Sequence, residues 1–174
     1  MPNELRRLDQ GKLEDVFKAH TLFLDHKTGG IRAQLPSHNL SSLNFDDKDL
    51  SEGIFAGSSF QFSSLRRAEL KAADLFGCDF SVSNLEHAIL AKADLRDAIL
   101  RGAVLIGADL READLREGRL ALGSTEDSGN TDLSGIDGRN ADMSGSTLSG
   151  ANVSGSNFGG ASFVLADLTS VNGK

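Results

Sequence analysis

The chain has 174 residues, of which 39% are hydrophobic, 25% charged and 6% aromatic, with no Trp or Tyr. That suits one domain or one short repeat array with a real core. The formal net charge of −7 argues against a protein held to nucleic acid by phosphate contacts.

Residues 1–34 carry no repeat. Leu13, Val16, Phe17, His20, Phe23 and Leu24 follow i, i+3, i+4 spacing, which predicts a helix near 12–25, stopped by Gly29-Gly30. Its expected role is to cap the core and strand edges that a repeat array exposes at its end. From Leu35 every fifth residue is Leu or Phe, through eighteen consecutive positions ending at Leu120. Two residues before each of these, from Gly53 to Gly118, stands Ala, Ser, Gly or Cys. A period of five smears the leucines round every side of an α-helix and throws them to alternate faces of a flat strand. The backbone must therefore turn between hits, so that each large residue points at one axis and the small residue interdigitates with it. Asp74, Asp79, Asn84, Asp94, Asp109 and Asp114 precede the central residue, where a short polar side chain can bond turn backbone.

The period breaks after Leu120 and resumes at Leu133, running through Met143, Leu148, Val153, Phe158, Phe163 and Leu168 with Gly138 as a weak unit. Residues 121–130 read as a polar loop inserted between coils at 35–120 and 131–172, giving 26 pentads in all. The units Ala68-Glu-Leu-Lys-Ala, Ala73-Asp-Leu-Phe-Gly, Ala93-Asp-Leu-Arg-Asp and Ala108-Asp-Leu-Arg-Glu resemble the pentapeptide-repeat family. The resemblance covers roughly residues 33–172. It implies an all-β solenoid, a right-handed quadrilateral parallel β-helix in which four pentads make a coil, here about 6.5 coils with a short N-terminal helical cap.

Chemistry is sparse. His20, His26, His38 and His87 lack metal-ligand spacing, and Cys78 occupies an inward small-residue slot. Gly145, Gly150, Gly155 and Gly160 are corner residues with no Gly-Lys-Ser/Thr following. No enzyme, cofactor or metal site is expected. A single cysteine fits a reducing compartment, no apolar run is long enough to span a membrane, and the start leads into no signal-peptide core, so the expected address is the cytoplasm.

Surfaces are what remain. Ile99, Val104 and Ile106 form an apolar run at an outward corner, and the face holding Val104 and Ile106 is the one from which the loop with Glu126 and Asp127 should emerge; together these make the candidate interaction surface. Phe62 and Val82 share another column, with Leu122 further along. Val164, Leu165 and Val171 are expected at a self-associating C-terminal end that forms a homodimer. The expected function is a non-catalytic scaffold for an unidentified protein partner, with no direct nucleic-acid or membrane contact. One branch of the family resembles duplex DNA in width and charge and engages DNA gyrase or topoisomerase IV, which makes a quinolone-protecting DNA mimic the alternative. The many outward arginines count against that alternative.

Overall fold

A computed structural model describes residues 5–118 and 130–173. The chain winds as a four-sided ladder. Outside the break that follows Leu115, each outward residue before a rung forms a parallel bridge to the residue twenty positions on, as in Gln34–Ile54, Asn39–Ser59, Asn44–Ser64 and Asp49–Glu69. Four rungs thus complete one coil. Between rungs the backbone makes a tight turn; the Leu95 carbonyl, for example, accepts the Ala98 N–H at 3.1 Å. All six predicted Asp and Asn residues accept the N–H two residues on, from 2.8 Å at Asp79 to 3.2 Å at Asp74 and Asp94. Sequence-local bonds therefore close each corner, and coil-to-coil bonds stack the corners.

Face 1 carries Leu35, Phe55, Leu75, Leu95, Leu115, Leu148 and Leu168; face 2 carries Leu40, Phe60, Phe80, Leu100, Leu133 and Val153. Face 3 carries Phe45, Leu65, Leu85, Leu105, Gly138 and Phe158, and face 4 carries Leu50, Leu70, Leu90, Leu110, Met143 and Phe163. Rungs Leu40 to Leu115 are fully buried, as are the small partners Ala68, Ala88 and Cys78. Phe60 is the hub of an aromatic column, 4.7 Å from the Phe80 ring, 5.2 Å from Phe45 and 5.7 Å from Phe55. Gly138 leaves a gap in its rung that the Phe158 ring fills, since a Cβ there would strike Phe158.

The ladder corrects the predicted count. Ile99 bridges Asp132, and Val104 bridges Asp137, so Leu133 takes the slot over Leu100 that was expected for Leu120. The extra residues lie between Leu115 and Leu133, and 25 rungs stand among the described residues, against the 26 expected of the chain. Leu120, Leu122 and the predicted loop, apart from its last residue, fall outside the described residues.

At the N-terminus, α1 spans Gln10–Leu24, two residues earlier than expected, with Asp9 as its N-cap. It ends at Asp25 and not at Gly29-Gly30. The Lys27 and His26 N–H groups bond the Leu22 and Phe23 carbonyls, with His26 at φ 54, a Schellman stop. A two-residue strand that the sequence does not advertise, β1 (Arg6–Arg7), pairs in parallel with β2 (His38–Asn39) and lays an arginine-bearing edge over face 2. The Gln10 amide does the equivalent for face 3, accepting the Asn44 N–H at 2.9 Å and donating to its carbonyl at 3.0 Å. A side-chain amide here replaces a strand.

Candidate interaction surfaces

Face 2 presents three outward columns. They hold Asn39, Ser59, Asp79, Ile99, Asp132 and Asn152; Ser41, Gln61, Ser81, Arg101, Ser134 and Ser154; and Ser42, Phe62, Val82, Gly102, Gly135 and Gly155. Among these described residues only Asp79, Arg101 and Asp132 are charged. Asp79 accepts from Gln61 and Asp132 from Arg101 at 2.8 Å, which leaves little free charge in these columns beyond the Arg6–Arg7 edge. Phe62 is 64% exposed and Val82 56%, on successive coils, each with φ 59. A β-branched or bulky residue in the left-handed region is strained, and an exposed apolar side chain gains little from folding to offset that strain. Ile99, 39% exposed, lies on the same face.

The predicted site residues do not share one face. Val104 and Ile106 stand half-buried on face 3, round the corner from Ile99. The insertion does not leave from their face. Its described flanks lie at the corner between faces 1 and 2, where the Gly118 N–H bonds Asp97 and Thr131 hydroxyl bonds reach the Leu95 and Arg116 carbonyls. The reason is the register: Leu115 is a face-1 rung and Leu133 the next, face-2 rung, so the extra residues leave at the corner between those faces. Glu126 and Asp127 lie outside the described residues. The column of Phe62 and Val82 continues in Gly102 and Gly135, both with positive φ.

The other faces are charged but largely paired. Arg96, Arg111, Arg116 and Arg139 each fork onto the Asp two residues earlier, with contacts of 2.6–2.9 Å. Arg96 also lies 3.8 Å from Asp114 on the next coil and over the Phe76 ring. Hydrogen bonds from Arg111 hold the Asp109 carboxyl below its ordinary value. At Asp132 burial alone would raise the carboxyl, but bonds from Ser134 and Arg101 outweigh it and lower it. Asp97 is the exception, pushed up chiefly by burial and further by Glu117.

The two ends differ. The N-terminal end is covered by β1, Gln10 and the buried face of α1, leaving an open groove of about 520 Å³ lined by Val16, Ala19, Ile31 and Leu35. At the other end the last described coil exposes Leu165 (91%), Val164 (65%) and the rung Leu168 (48%), while Val171 is half-buried. Phe158 and Phe163 pack edge-to-face at 5.3 Å and are only partly covered. The repeat pattern places the rung Leu168 in the interior, but no described coil stands over it and it is exposed.

Cys78 is buried, with its thiol 3.1 Å from the Phe55 carbonyl, and burial pushes its pKa up to about 12. Among the described residues no cluster of His, Cys, Asp or Glu could hold a metal ion. No described helix is long and apolar enough to cross a membrane.

A four-sided ladder of five-residue units whose outer columns vary over an unbroken core defines a repeat solenoid. Pentapeptide repeats match residues 39–81, 83–116, 129–160 and 146–172, and the chain belongs to the pentapeptide-repeat family, whose fold is the right-handed quadrilateral β-helix. It is similar to HetL, a pentapeptide repeat protein involved in heterocyst differentiation regulation in the cyanobacterium Nostoc sp. strain PCC 7120. The two are 27% identical over 82% of this chain and 77% of HetL, with a TM-score of 0.55. A pentapeptide repeat protein of the Arabidopsis thaliana thylakoid lumen is 25% identical over 75% of this chain and 68% of its own, at a TM-score of 0.48. QnrB1, a plasmid-mediated fluoroquinolone resistance protein, is 16% identical over 83% of this chain and 78% of its own, also at 0.48. No curated protein matches the chain at a significant level.

Proposed function

We propose that this chain is a non-catalytic scaffold of the bacterial cytoplasm that binds a protein partner through face 2 and the adjoining Ile99–Val104–Ile106 corner. The observation that carries the reading is the exposure of Phe62 and Val82, in strained backbone, on a face with few charges. Recognition surfaces are depleted of charge and enriched in aromatic anchors at their centres. The family consists in general of non-catalytic scaffolds, and HetL's involvement in regulation is a role such a scaffold serves. A rigid rod whose outer residues vary without disturbing the core suits that work.

The scaffold self-associates through its last described coil, where Val164, Leu165 and Leu168 offer an apolar patch beside Val171. The topoisomerase-protecting alternative needs an outward field of unpaired carboxylates, whereas Asp94, Asp109, Asp114 and Asp137 are each forked by an arginine. Light scattering on concentrated protein should give a dimer mass, and L165D should give the monomer. A wild-type monomer at the same concentration rejects self-association. In a supercoiling assay with a quinolone, the purified protein should leave gyrase inhibition unchanged; rescue would replace the scaffold reading with DNA mimicry.

A further inference from the structure

His20 is fully buried on α1, facing the first coil. Its Nδ1 accepts the Ala33 N–H at 3.1 Å, and its Nε2 lies 3.1 Å from the Ser51 carbonyl. The carbonyl can only accept and the amide can only donate, so the network fits one state: neutral imidazole with its proton on Nε2. Both contacts join the cap to the solenoid. Ala33 passes on to the ladder through its own carbonyl, which accepts the Ile54 N–H at 2.9 Å. The ring also stacks on Phe23 at 5.6 Å, and the same helical face seats Leu13 and Phe17, the latter against Phe45.

We propose that His20 is a proton-operated latch: a proton on Nδ1 sets two donors against each other at Ala33 and releases α1 from the first coil. Release uncovers the Phe45 rung and the coil edges at Asn44 and Ser51 that Gln10 and His20 otherwise cover. Unpaired parallel edges are templates for another strand, so the latch controls whether the N-terminal end can pair. Asp49 and Glu52 of the first coil favour the protonated form, and Arg32, in the segment leading into that coil, opposes it. Burial outweighs them and lowers the histidine below its ordinary 6.5. The sign follows. A group depressed on folding contributes fully above its unfolded value, and that contribution is lost as the pH falls through the folded value.

The test follows the His20 ring and the Ala33 amide of the full chain by NMR between about pH 8 and pH 5. Hydrogen exchange in α1 is read alongside, corrected for the intrinsic pH dependence of exchange. His20 should titrate below 6.5, and the opening ratio of α1 should rise about tenfold per pH unit between 6.5 and the folded value. H20Q keeps one donor and one acceptor but does not titrate, so its α1 exchange should stay flat. Titration of His20 at or above 6.5, or an equal rise in H20Q, overturns the latch. Should H20Q not fold, the wild-type titration and the Ala33 exchange decide alone.

Discussion

Replacing Leu95 and its neighbour Arg96 tests the inward–outward assignment at adjacent positions of one pentad. Leu95 is fully buried on face 1, and its N–H and carbonyl bond Asp114 and Ala98 in the ladder. Leu95→Asp gives up about 1.5–3 kcal/mol of side-chain burial. The new carboxylate faces leucines and alanines with no partner, which costs several kcal/mol more or forces its protonation. Together these approach the roughly 5–15 kcal/mol that holds a whole domain folded. Arg96 is 39% exposed; its alanine variant loses the fork on Asp94 and the contact over Phe76. Exposed pairs and exposed cation–π contacts are worth about 1 kcal/mol or less each, so the cost is about 1–2 kcal/mol. The chain has no Trp or Tyr, so the assay is urea unfolding followed by far-UV circular dichroism. Leu95→Asp should remove the transition or leave only part of its amplitude, because coils contact only their neighbours. Arg96→Ala should shift the midpoint slightly with an unchanged slope. Equal destabilisation by the two variants would mean that the ladder has been given the wrong register.

Two further outcomes follow from buried titratable groups. Cys78, whose thiol is pushed up to about 12, should be inert to a thiol-specific reagent in the native protein and react only at the rate of unfolding; fast native labelling would place it outside the core. Asp132, lowered on folding from 3.8, stabilises the junction where it bridges Ile99 at pH above that value, and the contribution is lost as the pH falls through the folded value. Acid titration of Asp132→Asn by circular dichroism should therefore show a smaller acid-induced loss of stability than wild type, and coincident curves would refute this.

The candidate surface was only partly legible in the sequence. Ile99 and the column of Phe62 and Val82 stood out because apolar residues occupied outward positions, and the folded chain exposes all three. That Ile99 shares a face with Phe62 and Val82, while Val104 and Ile106 do not, depends on which residues meet at a corner. Leu165 was legible as part of the C-terminal end, but Leu168, a rung by its spacing, is exposed with no described coil above it.

The period of five by itself determined the solenoid, its buried rungs and its corner-closing carboxylates. Each pentad makes the same turn with bonds reaching only two or three residues, so local spacing fixes what points inward. Only the tertiary structure decided that Leu133 sits over Leu100, that Gln10 stands in for a strand at Asn44, and that His20 is sealed between α1 and the first coil. Those contacts join residues 13 to 34 positions apart, and the break after Leu115 lets more than one leucine compete for the same slot. The choice rests on closing a coil against its neighbours, an energy that no single pentad contains.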